Sequence, residues 1–192
     1  EGFAFYIDLS LMGGVVLVLL GVALDVPVAN DAPVAVEPDF MLGTWSGEGW
    51  PSGHPLDGAL EAFGWQGKRF DNAEAVHPLL FRARGGHTVA LSPARVALGL
   101  PLLLRWPGLM KSAAVARLFR AGLPLLATRR SQGRLRLLRH RGRTTATLVY
   151  DRLPILDVFR RIDEDTVMGL MDLKGMEQPF FFLLRRTLNR PR

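Results

Sequence analysis

The sequence predicts a mainly β protein, a small antiparallel β-barrel of lipocalin-like or calycin-like type with a helical insertion. Three observations predict it. From Met41 onward the 192-residue chain runs in short apolar or alternating stretches divided by Gly, Asn, Asp and Pro, the texture of a sheet with tight connections. Several junctions have hairpin chemistry. Gly85-Gly86 supplies positive φ without steric cost, Gly142 sits between Arg141 and Arg143, and Asp163-Glu164-Asp165 forms an acidic turn. Finally, Gly43-Thr44-Trp45-Ser46-Gly47-Glu48-Gly49 places one indole in a glycine-rich strand, where missing side chains allow close backbone approach or strong bending. Such a segment suits a barrel's first strand, with Trp45 plugging the floor.

The N-terminal part reads differently. Leu9 to Leu24 is an uncharged run bracketed by Asp8 and Asp25. As a helix it would cover roughly 24 Å of a hydrocarbon core about 30 Å thick. Acidic Glu1 and Asp8 precede it where a secretory signal carries positive charge, so no functioning signal is expected. A membrane-associated segment, a buried helix or strand and an atypical start all remain open. Pro27, Pro33 and Pro38 make the following stretch an extended linker. Residues 1–37 are therefore set apart as an apolar, Pro-rich segment. Residues 38–188 are expected to form one barrel domain from an N-terminal half (38–99) and a C-terminal half (134–188) around a helical insertion (100–133).

Nine strands are expected: Leu42 to Trp50, Phe63 to Phe70, His77 to Arg84, His87 to Ser92, Arg134 to His140, Thr144 to Asp151, Leu156 to Ile162, Thr166 to Leu173 and Phe180 to Arg186. In the fifth, Arg134-Leu135-Arg136-Leu137 alternates, which gives one apolar face and one guanidinium face. Between the strand groups, Pro107 to Ala127 reads as one helix. Met110, Ala113, Ala114, Leu118 and Ala121 follow a spacing of three and four, and Lys111, Arg117 and Arg120 supply positive charge. The expected placement is against the core. A basic amphipathic helix can also lie on an anionic membrane or cover a barrel mouth.

Charge narrows the function classes. The balance is 24 Lys+Arg against 18 Asp+Glu, net +6, and Arg129, Arg130, Arg134, Arg136, Arg139, Arg141 and Arg143 follow one another with no acidic residue between them. That field attracts phosphates, anionic head groups or nucleic acid. Nucleic acid ranks below lipid, because Trp50, Trp65 and Phe70 are not interleaved with the arginine run. Zero cysteines exclude disulfides and thiolate chemistry and agree with a reducing compartment. The expected location is the cytoplasm, with association at a membrane surface.

Catalytic and cofactor signals are sparse. Ser52, His54 and Asp57 are the residue types of nucleophilic catalysis but lie together in a Pro/Gly-rich loop, and working triads are defined by geometry rather than by closeness in sequence. The four histidines have no metal-ligand spacing. His77 or His140 is the candidate axial ligand if the barrel carries haem. Neither a phosphate-cradling glycine loop nor a dinucleotide fingerprint is present. The cofactor is left open by the sequence.

A longer set of motifs resembles one family, the GXWXG-motif proteins, in which that motif domain precedes a C-terminal domain of unknown function. After Gly43 to Gly47 come Pro51-Ser52-Gly53-His54-Pro55-Leu56-Asp57-Gly58, Gly64-Trp65-Gln66-Gly67-Lys68-Arg69-Phe70 and Val76-His77-Pro78-Leu79-Leu80-Phe81. The second domain is similar through Tyr150-Asp151-Arg152-Leu153-Pro154-Ile155, Asp157-Val158-Phe159-Arg160-Arg161, Asp165 to Asp172 and Pro179 to Phe182. The resemblance covers residues 38–188 and implies binding of anionic lipids such as phosphoinositides. At the level of fold, the motif strand is also similar to that of lipocalin-like barrels and of haem-binding barrels related to nitrobindin.

These readings converge on a binding protein for a hydrophobic or anionic lipid, with an apolar cavity and a basic face. Trp45, His54, Trp65, Lys68, Arg69, His77, Asp151 and Asp157 are the expected ligand-binding residues. Arg129, Arg130, Arg134, Arg136 and Arg139 are the expected anion-binding residues. The alternatives are a haem-binding barrel and an enzyme acting on a small hydrophobic substrate, with His54, Asp57 and Asp151 as acid/base groups.

Overall fold

The computed structural model describes residues 34–187 apart from 84, 100, 102–104, 107, 110 and 111. The apolar run Leu9 to Leu24 and the linker prolines Pro27 and Pro33 lie outside the described residues, so the expectations attached to them are not addressed. Among the described residues there are nine strands: β1 (Gly43–Gly49), β2 (Trp65–Asn72), β3 (Ala75–Arg82), β4 (Thr88–Ala90), β5 (Gly133–His140), β6 (Arg143–Tyr150), β7 (Ile155–Arg161), β8 (Thr166–Leu173) and β9 (Phe180–Arg186). All pairings are antiparallel. Their order is β2-β1-β9-β8-β7-β6-β5-β3-β4, and a further β2–β3 pairing closes the sheet into a ring. The two sequence halves meet at two seams. Along β1–β9 five positions pair, whereas β3–β5 is held by the single pair Val76↔Gly133 with Gln132 and Leu135 donating their N–H to the Val76 and Ala73 carbonyls at 2.8 and 2.7 Å.

Turn chemistry explains the hairpins. Arg141 and Gly142, between β5 and β6, have φ of 48° and 81°, the pair of positive values that a two-residue turn needs to match the strand twist. Asn72 and Asp163 close the β2–β3 and β7–β8 connections by accepting the N–H two residues ahead, both at 2.8 Å, as short polar side chains do in turns.

Strand register sets what faces inward, because residues directly opposite each other in an antiparallel pair lie on one face. Trp45 sits opposite Lys68, Leu148 opposite Asp157, Phe159 opposite Gly169 and Gly169 opposite Phe182. The core follows these positions: Trp45, Phe70, Val76, Leu135, Leu148, Phe159, Val167, Phe182 and Leu184 are all buried. Phe70, Phe159, Phe182 and Trp65 form a chain of edge-to-face contacts with centroids 5.8 to 6.4 Å apart, a favourable aromatic arrangement.

The motif strand explains its own composition. Trp45 is fully buried, donates from Nε1 to the Met41 carbonyl at 2.8 Å and lies under the Arg186 guanidinium, 4.3 Å from the ring. At Gly47 the place of a Cβ is taken by the Trp65 ring. Gly43 holds φ of 111°, a region that favours glycine.

Two elements differ from the sequence expectation. The second strand begins at Trp65 rather than Phe63, because Ala59–Phe63 forms a one-turn helix, α1, bounded by Gly58 and Gly64 at φ of 78° and 83°. Glu61 on α1 accepts the Gly49 N–H, and Phe63 packs on Phe119 at 4.9 Å. Five residues are too few for a helical period to show in the sequence. After β4 the chain makes a short helix, α2 (Pro93–Val96), and then α3 (Ala113–Leu126). The sequence predicts one helix over Pro107 to Ala127, bracketed by Pro107 and Pro124. α3 begins after Ser112 and includes Pro124, which has no N–H to give the Arg120 carbonyl one turn back.

Candidate functional site

β2 divides two polar sites, because its alternation sends Lys68 into the ring and Arg69 outside. Inside, Lys68 Nζ lies 2.8 Å from Asp157 Oδ2, with exposures of 3% and 0%. It also donates to the Pro78 carbonyl and the Tyr150 hydroxyl, each at 3.3 Å. Tyr150 in turn donates to Asp157 Oδ2 at 3.1 Å. Burial, and then the neighbouring Asp157 charge, push the Tyr150 phenol well above its ordinary range, so it stays a donor at neutral pH. The ammonium sits among the rings of Phe182, Trp65 and Tyr150 at 4.8, 5.5 and 5.8 Å. Asp157 Oδ1 and Trp65 Nε1, both buried, have no hydrogen-bond partner among the described residues.

Outside, Arg69 Nε pairs with Asp71 Oδ1 at 2.9 Å, and the buried His77 holds the other Asp71 oxygen through Nε2 at 3.2 Å. Arg69 and His77 line an open cleft of about 460 Å³ with Thr88 to Ala90 of β4 and Ala127 to Arg129 after α3. Arg69 and His77 thus meet Arg129, which comes from the arginine run.

The rest of that run is dispersed. Arg134 and Arg136 share the outer face of β5, and Arg136 is engaged by Glu74 at 2.8 Å. Arg139 falls on the opposite face, because an odd separation along a strand reverses side-chain direction. Arg130 and Asp151 are exposed.

The Ser52, His54 and Asp57 loop does not assemble a triad. Asp57 Oδ2 accepts the backbone N–H of Ser52, Gly53 and His54 at 2.8, 2.8 and 3.0 Å, while His54 Nδ1 accepts from Leu56 N–H at 3.0 Å. Neither carboxylate oxygen bonds the imidazole, so the general-base relay of such a site is missing. The haem candidates are equally separate: His77 is tied to Asp71, and His140 ends β5.

His54, His77 and His140 all have pKa values below the ordinary 6.5, chiefly because burial disfavours the charged imidazole; Arg69 adds to this at His77 and Arg141 at His140, while Asp57 opposes it at His54. Their unfolded forms therefore bind protons at higher pH than their folded forms, so their contribution is complete above about 6.5 and is lost as pH falls below it. The urea midpoint is expected to fall between pH 7.5 and 5.5, and His54→Gln with His77→Gln to flatten that slope. A pH-independent wild-type midpoint would contradict the assignment.

Comparison with known proteins agrees with this architecture. The family model described as GXWXG protein matches residues 31–86, and that described as Domain of unknown function (DUF4334) matches residues 131–186. A crystal structure of a protein from Thermomonospora curvata is 30% identical, with a TM-score of 0.59 over 90% of this chain and 95% of that one. The chain belongs to the GXWXG family. A search of curated proteins finds no match.

In this GXWXG-family protein the first family segment contains β1 to β3 and the second β5 to β9, so β4, α2 and α3 fall between them. The outer cleft therefore combines family-segment residues with residues of the insertion. Sequence reasoning missed Tyr150 as a site residue and Arg186 as the cover of Trp45. It also missed that residues 75–150 contain fourteen lysines and arginines and no carboxylate. Within that stretch α3 is apolar on two faces. Ala116 and Leu123 are buried and Phe119 packs on Phe63 and Phe81, yet Leu118 and Leu125 are 74% and 79% exposed.

Proposed function

We propose that the protein binds a hydrophobic or anionic lipid at a membrane surface, using the strand ring as a lipocalin-like barrel that supports a lipid-facing insertion. The carrying observation is the exposed stripe of α3. Ala114, Leu118, Ala121 and Leu125 follow helical spacing and all are exposed, with Arg117 and Arg120 beside them and no acidic residue in the surrounding stretch. An apolar stripe flanked by arginines suits the boundary between acyl chains and anionic head groups. Trp106, in the same insertion, and Leu98, just before it, are exposed as well. The interior supports this choice of surface, since large side chains fill the ring from Trp45 through Phe70 and Phe159 to Phe182. The cysteine-free composition favours the cytoplasmic face. Among the described residues no helix is long and apolar enough to cross a membrane.

Vesicle co-sedimentation tests the reading. The protein is expected to pellet with phosphatidylglycerol/phosphatidylcholine vesicles, less with phosphatidylcholine alone, and less at high salt, because screening weakens charge attraction. Leu118→Asp with Leu125→Asp, two exposed positions, is expected to abolish pelleting while leaving the circular dichroism spectrum unchanged. Equal pelleting by this variant and the wild type would sink the proposal.

A further inference from the structure

We infer that the outer cleft is a binding site for a phosphomonoester group, held between the guanidinium groups of Arg69 and Arg129. This goes beyond the lipid-surface reading and stands whether or not that reading holds.

The cleft is built rather than incidental. Arg69 pairs through Nε with Asp71, and Asp71 is fixed from its other oxygen by buried His77, so the guanidinium is anchored at the wall of the cleft. Arg129 has no ion-pair or hydrogen-bond partner among the described residues. Thr88 and Thr128 line the same space, and Thr128 Oγ1, which accepts the Arg130 N–H at 3.1 Å, keeps its own proton to donate. Among the described residues the cleft lining contains no carboxylate, and Asp71 beside it is tied to Arg69 and His77.

The donor set selects the ligand. Guanidinium forks pair with the oxygens of phosphate and carboxylate in a bidentate manner. A carboxylate offers only two oxygens and a single charge, and one fork can engage both oxygens. Two guanidinium groups and two hydroxyls from separate walls match the three terminal oxygens and higher charge of a phosphomonoester. Val89, Ala90 and Ala127 supply an apolar side for the ester's carbon portion. A volume of about 460 Å³ lies within the range of about 300–1,000 Å³ that small-molecule sites occupy.

This chemistry has two sources, a soluble phosphomonoester and a lipid with a phosphomonoester head group. Calorimetric titration with glycerol 3-phosphate tests the first, and vesicles carrying phosphatidic acid against phosphatidylglycerol test the second. In either arm Arg129→Ala is expected to weaken binding about tenfold or more, the loss that goes with one charge-assisted hydrogen bond. Arg152→Ala, which removes an equal charge at an exposed position outside the cleft, is expected to leave it unchanged. Binding of glycerol 3-phosphate that depends on Arg129 supports a soluble ligand. Arg129-dependent preference for phosphatidic acid alone supports a lipid. Equal weakening by the two variants, or no binding in either arm, overturns the assignment. The Leu118→Asp/Leu125→Asp variant keeps glycerol 3-phosphate binding while losing vesicles, so the two proposals fail independently.

Discussion

Asp157→Ala is expected to lower folding stability by about 3–5 kcal/mol, the cost of leaving a buried charge without its partner. The Lys68 ammonium would keep only the Pro78 carbonyl, the Tyr150 hydroxyl and three ring faces. The double replacement Lys68→Met with Asp157→Leu removes both charges and is expected to restore stability to near the wild type or above it, because a well-packed apolar pair avoids desolvation of both ions. Urea denaturation of the three proteins measures the difference. If the double variant is as unstable as Asp157→Ala, the ion pair is not the source of the loss and another role of the carboxylate must be sought. Replacement of Lys68 and Asp157 also separates architecture from binding, since neither residue lines the outer cleft.

Trp45→Ala is expected to cost about 3–5 kcal/mol, as large aromatic truncations in cores do. The indole is fully buried, and its loss leaves the Met41 carbonyl without its donor and Arg186 and Phe40 without the ring they cover. Trp45→Phe keeps most of the volume and loses the N–H, so its cost is expected to be nearer the 1–3 kcal/mol, approximately, of an unsatisfied buried group. Thermal denaturation of both variants checks the order. Equal losses would mean that the hydrogen bond, and not the packing, carries the effect.

Much of the fold was legible because alternation and turn residues act locally. β5 is readable from Arg134-Leu135-Arg136-Leu137, and its hairpin from Gly142, since both signals lie within a few residues. The role of Trp45 was also legible: one indole among glycines has to fill space. What Gly47 makes room for was not, because the Trp65 ring arrives from another strand. The same limit hid the interior site. Lys68 and Asp157 were singled out separately, but their pairing, and the part played by Tyr150, depend on the closure of β2 and β7 into one ring. α1 escaped notice for a different reason, its brevity. The outer cleft needed a contact between β2–β3 and the end of α3, about sixty residues apart, that no local pattern encodes. In the opposite direction, the arginine run looked like one face in sequence. Strand parity splits it, placing Arg139 away from Arg134 and Arg136.

The central claim is that the Gly-x-Trp-x-Gly strand is architecture and that binding takes place on the insertion and its basic surroundings. The measurement that tests it most directly is vesicle flotation of folded Trp45→Phe beside folded Leu118→Asp/Leu125→Asp, at a temperature below the melting of both. The account predicts that Trp45→Phe floats with anionic vesicles as the wild type does and that the helix variant does not. Wild-type flotation of the helix variant together with loss of flotation in Trp45→Phe would contradict it and return the binding site to the motif strand.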